Sequence, residues 1–216
     1  MRLLLSFLLC LSALSSLYAQ PDAKHIAIKQ VNRPDANPQY FPVGVFSKRP
    51  QLSEFRARWY ASELRDLEEP SLRQEKMTTG AVYRLLLIPP FTPSLGVRLS
   101  INSDVSGKLL AKLGTKRSKN AETTRKQQTL SLSPEQVSKF LGLLGEANFW
   151  SLPGARYEES LVRVADGKEW LLEATKSGNY HVVARSDGLM ESNFSRACDY
   201  LLEVAPLKAE TGDRAP

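Results

Sequence analysis

The order in which strand and helix signals follow one another limits the fold more than any other property of this sequence. Residues 161–165, 169–176 and 180–185 alternate or run apolar, with turns at Asp166-Gly167 and at Ser177-Gly178-Asn179 between them. Asp-Gly between two such segments is a strong hairpin signal, because both residues tolerate the positive φ of a tight turn. Upstream, residues 81–89 form a near-continuous apolar run, and 96–102 alternate through Val97, Leu99 and Ile101. Segments 108–113 and 128–132 complete a first group of strands. Helical spacing appears in 52–68 through Leu52, Phe55, Trp59, Tyr60, Leu64 and Leu67. It recurs after Ser133-Pro134-Glu135-Gln136, a capping-box start, through Val137, Phe140, Leu141 and Leu144, and again over 191–204. Helix, four strands, helix, three strands, helix predicts an α+β fold. Its antiparallel sheet has about six to seven strands, with two to three helices packed on one face. A parallel α/β sheet needs alternating crossovers, and the pattern lacks them.

The first 19 residues read as a secretory signal. Arg2 supplies the positive start, residues 3–17 are mostly apolar, and Leu17-Tyr18-Ala19 precedes Gln20 with a small residue at the cleavage position. That run is shorter than the ~20 residues of a membrane-crossing helix. The expected organisation is a signal at 1–19, a Pro-rich extended segment at 20–50, a helical lead-in at 51–75, the α+β domain at 76–207 and a polar tail at 208–216. No later segment is apolar enough to span a bilayer, so the expected location is the periplasm or the exterior. Cleavage leaves Cys198 as the one thiol, so no intramolecular disulfide is expected. Cys198 shares a helical stripe with Phe194, Ala197, Leu201, Leu202 and Ala205, which predicts a buried, inert thiol.

Chemistry has few candidates. His25 and His181 are the two histidines, and neither has a second ligand at metal spacing, so no metal and no cofactor is expected. His181 is the residue best placed for acid–base work. Strand alternation puts it on one face with Val183 and Arg185. A turn at Ser177–Asn179 brings Glu173 within cross-strand reach, so His181, Glu173 and Arg185 are the catalytic candidates. The competing explanation is a polar sheet face with no chemistry, and it carries more weight. The sequence holds no nucleophile elbow and no glycine-rich phosphate loop. Of Trp59, Tyr60, Phe149, Trp150 and Trp170, at least four fit core filling better than a glycan platform.

Charge is uneven. Residues 76–126 carry ten Lys or Arg against Asp104 and Glu122, a local +8, whereas 127–216 carry nine against thirteen, a local −4. The excess peaks around Lys116, Arg117, Lys119, Arg125 and Lys126, in one strand connection. Outside the cytoplasm nucleic acid is not the expected target. An envelope protein or an anionic envelope component is. The competing explanation is a solvated loop, and the stretch has no aromatics to stack on a ligand.

Three passages together resemble an uncharacterised family of exported bacterial proteins. They are Glu69-Pro70-Ser71-Leu72 with Tyr83-Arg84-Leu85, the helix from Leu132-Ser133-Pro134-Glu135 to Phe149-Trp150-Ser151-Leu152-Pro153, and Asp166-Gly167-x-x-Trp170 through Tyr180-His181-Val182-Val183-x-Arg185. The resemblance spans residues 52–207 and departs at Ala184-Arg185-Ser186-Asp187, where the pattern calls for a second aromatic. It implies export and a domain boundary, not a mechanism. The function expected is binding rather than catalysis, with an enzyme using the sheet face around His181 as the alternative.

Overall fold

The computed structural model describes residues 40–75, 80–115, 126–156 and 167–209. The leader, the strand expected at 161–165, and Lys116, Arg117, Lys119 and Arg125 lie outside them. Helix α1 (Pro50–Asp66) comes first. Strands β1 (Ala81–Ile88), β2 (Leu95–Ile101), β3 (Gly107–Leu113) and β4 (Lys126–Leu132) follow, and then helix α2 (Pro134–Glu146). Strands β5 (Glu169–Lys176) and β6 (Asn179–Ser186) precede helix α3 (Ser192–Val204). The six strands form one antiparallel sheet in the order β4-β3-β2-β1-β5-β6. The α+β fold is therefore as the pattern implies.

The helices do not share one face. Alternate residues of β1 enter two separate cores, and all eight of its positions are buried. Tyr83, Leu85 and Leu87 pack with Leu172, Val183, Phe140 of α2 and Phe194 and Leu201 of α3. Leu86 and Ile88 pack instead with Leu171, Val182 and Ala184, under Tyr60 and Leu64 of α1 and under Phe41 and Phe46. A central strand covered on both sides has no solvent-facing side, which is why 81–89 reads as a nearly continuous apolar run. Each large apolar side chain so buried contributes about 1.5–3 kcal/mol of transfer free energy.

Helix α1 is also rotated from the face its apolar spacing suggests. Its buried residues are Ser53, Arg56, Tyr60, Ala61, Glu63 and Leu64, while Phe55 is 42% exposed. Two of these polar groups find partners in the segments packed beside the helix. Ser94 Oγ donates to Glu63 Oε2 at 2.7 Å, and Phe46 N–H donates to Ser53 Oγ at 3.2 Å. Helix α2 starts as its sequence requires. Ser133 Oγ accepts from Gln136 N–H, and the Gln136 side chain accepts from Ser133 N–H at 3.0 Å.

Candidate functional site

The largest concentration of polar chemistry is a buried ion-pair network on the sheet face that α1 covers. Register places Arg84 of β1 opposite Glu173 of β5 and opposite Arg98 of β2. Arg84 Nε and Nη2 both donate to Glu173 Oε1, at 2.9 and 2.6 Å, and both side chains are fully buried. The second carboxylate oxygen of Glu173 accepts from Tyr180 Oη at 2.9 Å. Burial would lower the Arg84 pKa, but Glu173 and then Glu69 outweigh it, so the guanidinium is held charged. Tyr180 is pushed well above its ordinary value, first by burial and then by the Glu173 charge.

Glu69 closes the network from above. Its carboxylate, 3% exposed, meets Arg84 Nη1 at 3.2 Å, Arg98 Nη1 at 3.5 Å and Lys112 Nζ at 2.7 Å. Arg98 turns its other terminal nitrogen to Glu75 at 2.6 Å. Pro70 O accepts from Arg84 at 2.6 Å, Glu69 O from Tyr40 Oη at 2.8 Å, and Glu68 O from Lys112 at 3.0 Å. Residues 68–75 thus lie across β1, β2 and β3 as a strap pinned by three cations. Three carboxylates face three cations, so the network is electrically complete without a ligand. It stabilises and orients; it presents no reactive group.

The catalytic candidates do not assemble. Lys176 pairs with Asn179, so the β5–β6 loop is the two residues Ser177 and Gly178, with φ of 51° and 77°. The expected three-residue turn is one residue too long, and a one-residue shift moves a strand's side chains to the opposite face. Glu173 therefore lies opposite Val182, and His181 lies opposite Ala174 on the far side of the sheet. His181 packs edge-on to Phe149 at 5.0 Å between ring centroids and beside Trp150 at 5.9 Å. Its Nε2 is buried and unpartnered. Burial lowers the His181 pKa, against the pull of the Leu152 and Phe149 carbonyls.

Arg185 does share the His181 face, as alternation requires, but it too is committed. Its Nε and Nη2 donate to the two oxygens of Glu191 at 2.8 and 3.1 Å, and Nη1 donates to Pro153 O at 3.1 Å. Burial pushes the Glu191 carboxyl up, yet the Arg185 hydrogen bonds outweigh it and hold it below the usual range. A further buried carboxylate, Glu169, accepts from Tyr60 Oη at 2.8 Å and from Ser186 Oγ. Cys198 is buried, and burial pushes its thiol well above the ordinary value. Among the described residues no three His, Cys, Asp or Glu side chains gather where they could hold a metal ion. No helix among them is long and apolar enough to cross a membrane.

The Arg84–Glu173–Glu69 network is what sequence reasoning missed. Its signal was present, since Arg84 interrupts an otherwise apolar run in a strand that must be central, and such a charge demands buried partners.

Of the basic partner-binding candidates, Lys126 is within the described residues. It opens β4, which is exposed at every position from Lys126 to Ser131 and buried only at Leu132. On β3 Lys108 is exposed, and Lys112 is held by Glu69. Lys108 lies opposite Ser131 and Lys126 opposite Leu113, so the two exposed lysines stand at opposite ends of the β3–β4 pair and on opposite faces of the sheet. No protein-family model matches the chain, and no curated protein matches it.

Proposed function

We propose that the chain is an exported bacterial envelope protein that binds an anionic partner, an envelope protein or an anionic envelope component, and is not an enzyme. The observation that carries this is the charge of the connection between β3 and β4, where Lys116, Arg117, Lys119, Arg125 and the exposed Lys126 stand against Glu122 alone. Cations close together in the chain raise the local concentration of anions and speed their capture. The charges elsewhere in the sheet support the same reading from the other side. Arg84, Glu69, Glu173, Arg185 and Glu191 satisfy one another. Export rests on the 1–19 leader and on the resemblance to exported bacterial proteins, and the protein would act in the periplasm or outside the cell.

The test is retention of the full chain on two probes, phosphatidylglycerol vesicles and immobilised polyglutamate, with phosphatidylcholine vesicles as the neutral control. The proposal expects binding to at least one anionic probe, weakening as salt rises, because exposed charges are screened within about 10 Å at 0.1 M salt. Reversal of Lys116, Arg117 and Lys119 to Glu should abolish it. Retention unchanged by that reversal, or none on either anionic probe at low salt, overturns the proposal.

A further inference from the structure

We infer that the cleft between the start of α1 and residues 153–156 is a binding site for a small phosphomonoester. The cleft lies apart from the β3–β4 connection, so the inference goes beyond the binding role proposed above and does not rest on it.

Two segments build the cleft. Residues 153–156 run along the outer edge of β6, where Ala184 N–H donates to Gly154 O at 2.7 Å and Ala155 forms a parallel bridge with Ala184. The other edge strand, β4, pairs with β3 alone among the described residues. Residues 44–49 lead into α1 and close onto the first segment. A Cβ on Gly154 would lie 2.5 Å from Val45 O, so only glycine lets the two backbones meet. The bond from Phe46 N–H to Ser53 Oγ fixes the lead-in against the helix. At this junction the surface sinks into an open cleft of about 350 Å³. That holds a phosphate and a small organic body, at the low end of the range for ligand pockets.

The charge of the cleft is one-sided. Lys48, Arg49, Arg56 and Arg156 line it, and among the described residues no Asp or Glu does. Arg56 is 4% exposed, so one guanidinium is part of the wall and not of a solvated rim. Arg156 is tethered at the rim. Its Nη1 donates to Leu189 O at 3.2 Å, and its Nε stands 3.7 Å from Glu191, a carboxylate that Arg185 already holds.

The start of α1 adds to this charge. The positive end of a helix dipole ordinarily meets a hydroxyl cap or an acidic side chain in the first turn. Helix α2 has both, in Ser133 and Glu135. Helix α1 has neither, and Arg49 stands at its N-cap. Leu52, in that first turn, lines the cleft. A cation at a helix start opposes the dipole, and an anion in the cleft offsets both.

Phosphate suits the site better than carboxylate. A phosphomonoester carries about −1.5 to −2 charge at pH 7 and three acceptor oxygens. Arginine forks pair with such oxygens two at a time, and helix-start amides accept phosphate as well. A carboxylate brings a single charge to the same four cations.

The experiment titrates glycerol 3-phosphate into the full isotope-labelled chain at low salt, read by backbone amide shifts, with glycerol and acetate as controls. Saturable shifts should centre on Leu52, Gly154 and Ala155, with binding about tenfold or more tighter than that of acetate. Arg49→Gln with Arg156→Gln, both at exposed positions, should weaken binding about tenfold or more and leave the fold intact. Phosphatidic acid carries the same group on a lipid. Vesicles containing it are therefore offered to a chain whose Lys116, Arg117 and Lys119 are reversed to Glu, with phosphatidylcholine vesicles as the control. Retention there that the Arg49 and Arg156 variants abolish supports the site with a headgroup as its source, and saturable shifts with glycerol 3-phosphate support it with a free ligand. Acetate binding as tight as that of glycerol 3-phosphate overturns the phosphate assignment. Binding unchanged in the double variant, or neither shifts at the cleft nor vesicle retention, overturns the site. Shifts confined to β4 and lost on the triple reversal overturn it too, and leave the role of the β3–β4 connection standing.

Discussion

Arg84 and Glu173 stand directly opposite each other on the neighbouring strands β1 and β5, with two guanidinium nitrogens on one carboxylate oxygen at 2.9 and 2.6 Å. Neither side chain is exposed, so each is the condition for the other's burial. A buried charge that loses its partner costs far more than the pair contributes net. Glu173→Ala should therefore destabilise the fold by about 3–5 kcal/mol, measured by urea unfolding. Arg84→Met with Glu173→Leu and Tyr180→Phe should recover most of that loss. A triple variant no more stable than Glu173→Ala would show that the network supplies more than mutual neutralisation.

His181 predicts a dependence on acid. Its folded pKa is lowered, so the folded state binds fewer protons than the unfolded chain below about pH 6.5. Stability from the neutral imidazole is complete above that pH and falls as pH drops toward the folded pKa. Arg185, on the same face, acts in the same direction. His181→Phe, which preserves ring packing against Phe149 and Trp150, should flatten that part of the stability profile. An unchanged slope in the variant would assign the acid sensitivity to the carboxylates.

Cys198 should be silent toward thiol reagents in the folded chain. Burial holds the thiol protonated and out of reach, and the thiolate is the reactive form. Labelling by a maleimide should follow the rate of unfolding, reaching completion in denaturant. Rapid labelling of the native protein would place the thiol in an opening the packing does not show.

The capping box on α2 should be worth about 1 kcal/mol. Ser133→Ala removes the acceptor for Gln136 N–H and should lower the urea midpoint with little change in slope. Ser133→Asp, which keeps an acceptor there, should restore most of it.

Much of the fold was legible because it rests on local rules. Ser133-Pro134-Glu135-Gln136 starts a helix by its own chemistry, and the strands of β1, β2 and β5 carry their signals in their own residues. Layering was not legible. The alternation that assigns a strand to one face vanishes in β1, buried on both sides, and the inward face of α1 carries Arg56 and Glu63 where apolar residues were expected. The candidate site failed on one residue of turn length. Ser177 adopts a positive φ beside Gly178, which closes the loop in two residues and sends Glu173 to the Arg84 side. No short-range rule reports where that carboxylate finds its partner, because Arg84 is 89 residues away in the chain.

The asymmetry of the two sheet edges is the centre of the account, and amide hydrogen exchange on the free chain measures it directly. The Ala184 amide, bonded to Gly154 O, should be protected close to the level of the β1 and β5 amides. Along Gln127 to Ser131, protection should alternate, with every second amide exchanging at nearly the rate of an unstructured chain. Uniform strong protection along β4 at concentrations where the chain is monomeric would contradict the account, because the outer amides of the edge strand would already be covered.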